Sequence, residues 1–262
     1  MIQRNAIIEW GAVAPWRELR FIEQDLVLSR ALIAIYDNEH LRQRLAFRGG
    51  TAMYKLYLNP PARYSEDIDL VQINAEPIGK VLDHLKDTLS FLGLPRTTSK
   101  ERNNTLIYRI EAEEPKGTTL RLKIEINCRE HFSVYRQETL PFEMRNQWFS
   151  GKCDIVTYCF DELIGTKIRA LYQRRKGRDL FDLFTALKSG RLNTKVAIDC
   201  YRKYMAFLGH RIPTAIEYAK NLEEKIGDEN FRIEVYPFLS PGIEYDIDEA
   251  FSLVNKEIVA MM

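Results

Sequence analysis

Asp67 and Asp69 stand one residue apart in the run Ser65-Glu66-Asp67-Ile68-Asp69-Leu70-Val71, downstream of Gly49-Gly50-Thr51. In a strand, residues two apart share a face. The run is therefore expected to be a strand that aims both carboxylates one way and Ile68 and Leu70 the other, into a core. Two carboxylates side by side repel unless a cation lies between them. Mg2+ suits that place, because it is hard and binds through one or two carboxylates plus substrate phosphates. The upstream glycines let backbone N–H groups approach an anion closely. A phosphate-cradling turn beside a carboxylate metal site is an arrangement for handling nucleotides. The plainer reading leaves the acids at a strand end, solvated or paired with Arg63.

Glu125 supplies a third acid. It shares the polar face of an alternating run with Arg121 and Lys123, while Leu120, Leu122, Ile124 and Ile126 face inward. Three acids converging from two strands suit two-metal phosphoryl transfer. The alternative for Glu125 is a surface cross-strand pair with Arg109. Gly49-Gly50 opens a helix near Thr51, whose hydroxyl is expected either to cap that helix or to meet a phosphate. Lys167, Arg174 and Arg178 would share one face if their helix continues, as a triphosphate or nucleic-acid backbone site or simply as a solvated basic face. Arg178 with Asp182 is also a plain i,i+4 ion pair, and Asp179 an acid at a helix start. The four histidines lack metal-ligand spacing, and no GxSxG motif is present.

The elements that must position these groups can be read from periodicity. Residues 7–20, with Trp10, Pro15 and Trp16, look irregular. Helical stripes are expected over 21–36, 41–45 and 77–92, the last closed by Gly93 and Pro95. A hairpin follows, with strands at 106–112 and 120–126 joined by the turn Glu114-Pro115-Lys116-Gly117. Short strands are expected at 139–149 and 154–158, then helices at 161–175, 179–187, 194–207, 214–226 and 246–259. The fold class is thus α+β, a core with a mixed sheet followed by a helical C-terminal region. The expected domains are residues 1–158 and 159–262.

Composition sets the bounds. The chain has 262 residues and a formal net charge of +1, so any case for nucleic acid must come from local patches. Cys128, Cys153, Cys159 and Cys200 lack CxxC spacing and are expected to be reduced and buried in a cytoplasmic protein. Residues 1–5 carry no apolar signal-peptide core, and no apolar run is long enough to span a bilayer.

Phe47-Arg48-Gly49-Gly50-Thr51-Ala52 followed by Arg63-Tyr64-Ser65-Glu66-Asp67-Ile68-Asp69-Leu70 closely resembles the first motif of the AbiEii/AbiGii-type nucleotidyltransferase toxins of type IV toxin–antitoxin systems. Lys123-Ile124-Glu125-Ile126 is similar to that family's second motif, Lys167 in Glu162-Leu163-Ile164-Gly165-Thr166-Lys167 to its third, and Arg178-Asp179-Leu180-Phe181-Asp182 to its fourth. The resemblance covers residues 20–190 and implies a DNA polymerase β-like nucleotidyltransferase core. It implies Mg2+ and NTP as co-reactants, a tRNA or other RNA acceptor, and a cognate antitoxin. On this basis Asp67, Asp69 and Glu125 are expected to hold metal. Gly49, Gly50, Thr51, Lys123, Lys167 and Arg178 are expected to meet the nucleotide, and Asp179 and Asp182 to organise a base or the acceptor. The alternatives are a small-molecule (antibiotic) nucleotidyltransferase and a catalytically dead interaction module.

Overall fold

A computed structural model describes residues 2–100, 102–113, 115–207 and 209–262, so Glu114 of the expected turn lies outside the described residues. Contacts gather the chain into two compact units: Met1–Ser133 with Gln137–Tyr158, and Val134–Arg136 with Cys159–Met262.

The first unit begins with α1 (Arg4–Trp10), α2 (Leu19–Asp37) and α3 (Glu39–Arg42). The expected irregular stretch is thus partly helical. Ala6, Ile7 and Trp10 make a buried stripe that gives α1 its reason to form. Next come β1 (Leu45–Arg48) and α4 (Gly49–Ala52), which runs on into a π-helical segment, Met53–Tyr57. The helix expected through Leu45 ends instead at Arg42. Leu45, Ala46 and Phe47 are all buried, so β1 shows no alternation by which it can be read. The unit continues with β2 (Asp67–Gln72), α5 (Gly79–Thr88), β3 (Arg96–Lys100), β4 (Asn103–Glu111), β5 (Thr119–Asn127), β6 (Gln137–Met144) and β7 (Gly151–Tyr158).

The described strands form one mixed seven-stranded sheet in the order β3-β4-β5-β2-β1-β7-β6. β2 runs antiparallel to β1 and parallel to β5. A parallel neighbour requires a crossover, and here α5 and the strands β3 and β4 supply it. The alternation of β5 is as expected: Leu120, Leu122, Ile124 and Ile126 are buried. Asp25 of α2 is buried and accepts from the Trp10 indole at 2.8 Å and from Lys55 Nζ at 2.9 Å and 3.0 Å. A buried carboxylate persists only when charge and hydrogen bonds offset its desolvation. This one fixes α2 to the helical segment that begins at Gly49.

The second unit is helical: α6 (Phe160–Gln173), α7 (Gly177–Lys188), α8 (Thr194–Phe207), α9 (Ala215–Ile226), α10 (Glu229–Ile233) and α11 (Ile247–Glu257). Thr214 caps α9 in a capping box with Glu217, and Asp246 caps α11. Val134 and Tyr135 belong here because their backbone N–H groups donate to the buried Glu162 carboxylate, at 2.8 Å and 3.1 Å. No described helix is long and apolar enough to cross a membrane. All four cysteines are free, and only Cys200 is buried; Cys128, Cys153 and Cys159 are half-buried, against expectation.

Candidate active site

The parallel pairing of β2 with β5 sets Asp67 opposite Lys123 and Asp69 opposite Glu125. Asp67, Asp69 and Glu125 therefore project from the same sheet face, on strands about 4.8 Å apart. Ile68 and Leu70 go into the core, as their alternation requires. Lys123 sits among the acids: its ammonium is 2.8 Å from Asp67 Oδ2 and 3.4 Å from Glu125 Oε2. Burial pulls the Lys123 pKa down, but the hydrogen bond and charge of Asp67, with Glu125 and Asp69, outweigh it and leave the pKa raised. The side chains grade outward in exposure, Lys123 at 22%, Asp67 at 31% and Glu125 at 47%. Glu125 does not pair across the hairpin with Arg109: it lies opposite Thr105, and Arg109 lies opposite Arg121.

Gly49 closes one side of the cluster. Its φ is +84°, and a Cβ built there would stand 2.1 Å from Asp69 Oδ2. Only glycine allows both that backbone conformation and that approach. Thr51 is buried, and its hydroxyl donates to the Asp67 carbonyl at 2.6 Å and lies 2.8 Å from the Ser65 hydroxyl. It ties the helical segment to the start of β2. It does not cap the helix, which begins at Gly49 with Arg48 in the cap position. Arg48 stands opposite Asp69 in the sheet and forms an ion pair with the buried Glu130, which also accepts from Asn127 Nδ2 at 3.3 Å. Sequence reasoning missed Glu130, since it follows β5 in a loop and nothing local marks it as the partner of Arg48.

Lys167, Asp179 and Asp182 come together in the second unit. Asp179 and Asp182 are fully buried. Lys167 Nζ is 2.7 Å from Asp182 Oδ2 and 3.4 Å from Asp179 Oδ1. Arg174 grips Asp179 through Nε at 2.6 Å and NH2 at 2.7 Å, a bidentate fork. Burial pushes the Asp179 carboxyl up, yet Lys167 and Arg174 hold it below its ordinary 3.8. The shared face expected for Lys167, Arg174 and Arg178 does not form, because α6 ends at Gln173 and Arg174 is extended. Arg178 turns to Glu234, whose carboxylate is 3.7 Å from its Nε and accepts from its backbone N–H at 2.9 Å.

The donor chemistry on the first unit's open face fits a hard divalent cation: carboxylate oxygens on adjacent strands, with an ammonium already between two of them. Among the described residues no three acidic, histidine or cysteine side chains already converge as a ligand set, in keeping with the ammonium between Asp67 and Glu125.

A family model described as nucleotidyl transferase AbiEii toxin, type IV toxin–antitoxin system, matches residues 30–253. No curated protein sequence matches the chain. Among solved structures, the chain is similar to MenT4, a nucleotidyltransferase toxin from Mycobacterium tuberculosis H37Rv. The TM-score is 0.64 at 13% identity, over 100% of this chain and 91% of that one. It is also similar to a putative nucleotidyltransferase from Helicobacter pylori, with a TM-score of 0.55 at 16% identity, over 93% of this chain and 98% of that one. At such identities the likeness speaks for the fold, which is α+β as the sequence implies.

Proposed function

The chain belongs to the AbiEii family of nucleotidyltransferase toxins of type IV toxin–antitoxin systems, and we propose that it moves a nucleoside monophosphate from an NTP to an RNA acceptor, a tRNA 3′ end first of all, with Mg2+ as its cation. A hydroxyl oxygen of the acceptor forms a bond to the α-phosphorus, the bond to the bridging oxygen breaks, and pyrophosphate leaves. Asp67 and Asp69 would hold the cation. When bound, Mg2+ supplies charge that steadies the attacking and leaving oxygens.

Glu125, more exposed than Asp67 or Lys123, is the carboxylate we assign to take the acceptor's proton or to complete the metal site. Lys123 has the reach to turn its ammonium from the carboxylates to the triphosphate, where a preorganised charge favours the developing anion. The N–H groups that open the helical segment at Gly49-Gly50 lack intrahelical partners and suit phosphate oxygens. Thr51, with its hydroxyl spent on Asp67, is a positioning residue. We assign the same role to Lys167, Asp179 and Asp182, whose charges answer one another in a buried network. Membership of a type IV toxin–antitoxin family supports a cognate antitoxin as the chain's partner.

The observation that carries this reading is the register that sets Asp67 and Asp69 beside Lys123 and Glu125. It is tested by incubating the protein with each α-labelled NTP, MgCl2 and total cellular RNA. The expected result is one labelled RNA species that EDTA abolishes. Label appearing only in small molecules, or in nothing at all four NTPs, would overturn it.

A further inference from the structure

The sheet face that carries Asp67, Asp69 and Glu125 continues outward across β5, β4 and β3. Register places Arg121 and Lys123 of β5, Arg109 of β4, and Arg96 and Lys100 of β3 on it, against the acids Glu111 and Glu125. Arg96, Lys100, Arg109 and Arg121 are exposed. None of the four has a carboxylate partner among the described residues. Arg109 lies directly opposite Arg121, and like charges in that position destabilise a strand pair. Cations on an edge strand guard against sheet-to-sheet aggregation. That accounts for Arg96 and Lys100 on β3, but not for Arg109 facing Arg121 on the two strands inside it. Where the strip reaches Asp67, the lining of a pocket of about 210 Å³ includes the cations Arg20, Arg121 and Lys123, the acids Glu66 and Asp67, and the ring of Phe21.

We propose that this basic strip is the track on which the RNA acceptor's phosphate backbone lies, leading its reactive end to Asp67. This deepens, and rests on, the reading of the chain as an RNA-directed transferase. A polyanion resolves the Arg109–Arg121 opposition that the folded chain leaves unmatched. The other described register positions of the strip include Thr98, Thr105, Thr119 and Ile107, and none is aromatic; the ring nearest the strip's end, Phe21 at the pocket, is already stacked on Tyr64 at 4.4 Å. The contact is therefore with phosphates and is indifferent to sequence.

The test is equilibrium binding of a fluorescent 20-nucleotide single-stranded RNA of mixed sequence, without NTP, over a salt series. The proteins are the native chain and a variant carrying Arg96→Gln, Lys100→Gln, Arg109→Gln and Arg121→Gln. Each phosphate contact adds about 0.7 to the slope of log K against log salt. Loss of four should make that slope shallower by about two to three and weaken binding about tenfold or more at low salt. A control with the same charge change at exposed sites elsewhere, Lys80→Gln, Lys152→Gln, Lys195→Gln and Lys220→Gln, should keep the native slope. Thermal melting of both variants verifies that they fold.

Equal binding by the native chain and the strip variant overturns the proposal, and so does a control variant that weakens as much. Preference for poly-L-glutamate over RNA would overturn it too, and would assign the strip to an acidic polypeptide. Because no turnover is read, the outcome is separable from the transferase reading: Asp67→Asn with Asp69→Asn should lose transfer and keep this binding.

Discussion

Carboxylates on adjacent strands repel, and in the folded chain Lys123 offsets two of them, 2.8 Å from Asp67 and 3.4 Å from Glu125. Lys123→Met should therefore lower the melting temperature in EDTA, and millimolar Mg2+ should restore more of it than it adds to the native protein. Thermal melts with and without Mg2+ decide this; a variant indifferent to the cation would dissociate Lys123 from the metal-binding face. Lys123 has a raised pKa in the fold, so its stabilising contribution is present below its ordinary 10.5 and is lost as pH rises through the higher folded value. The stability gap between native and Lys123→Met proteins should accordingly close on the alkaline side. Gly49→Ala would place a Cβ against Asp69 in a left-handed conformation, at a conformational cost of about 1–2 kcal/mol, and should cut transfer by about a hundredfold. Gly93→Ala is the control: its φ is also positive, but nothing lies within 4 Å of the added Cβ, so it should bring backbone strain without the clash and keep full activity. The face shared by Asp67 and Asp69, and that of Glu125, were legible because strand alternation is local. The bridge made by Lys123 and the opposition of Arg109 to Arg121 were not, since both depend on which strands pair and in what register.

At the scale of elements, α6 and α7 are joined by a buried charge network. Lys167→Met would leave Asp179 and Asp182 without their shared ammonium, and loss of one partner from a buried pair costs about 3–5 kcal/mol. Urea unfolding should register that loss, and adding Asp182→Asn should recover part of it; a Lys167→Met protein as stable as the native one would show the network to be idle. Asp179 is held below its ordinary 3.8. The stability it contributes is thus present above that value and lost as pH falls through the lower folded one. Asp179→Asn should flatten the acid-side decline in unfolding free energy that sets in as pH falls below 3.8. The C-terminal helices were legible from their apolar period and caps such as Thr214 and Asp246. The break at Arg174 was not, because its cause is tertiary: Arg174 leaves the helix to fork onto Asp179. β1 escaped for a different reason, being short and buried at Leu45, Ala46 and Phe47.

For the whole molecule, the order of the four motifs along the chain was legible, and the match of the family model to residues 30–253 agrees with it. What composition could not give is the distribution of charge. A chain of net charge +1 nonetheless carries a strip across β3, β4 and β5 in which cations outnumber the acids Glu111 and Glu125, because strand pairing gathers arginines and lysines that lie apart in sequence. Everything proposed for the site depends on Asp67 and Asp69 forming the metal-holding half of a nucleotidyl-transfer centre. The most direct measurement is the initial rate of label transfer from an α-labelled NTP to RNA by native, Asp67→Asn and Asp69→Asn proteins, beside their melting curves. Each substitution removes one charge and keeps the side chain's shape, so melting temperatures should stay near the native value while rates fall at least about a hundredfold. Transfer at the native rate by either folded variant would contradict it.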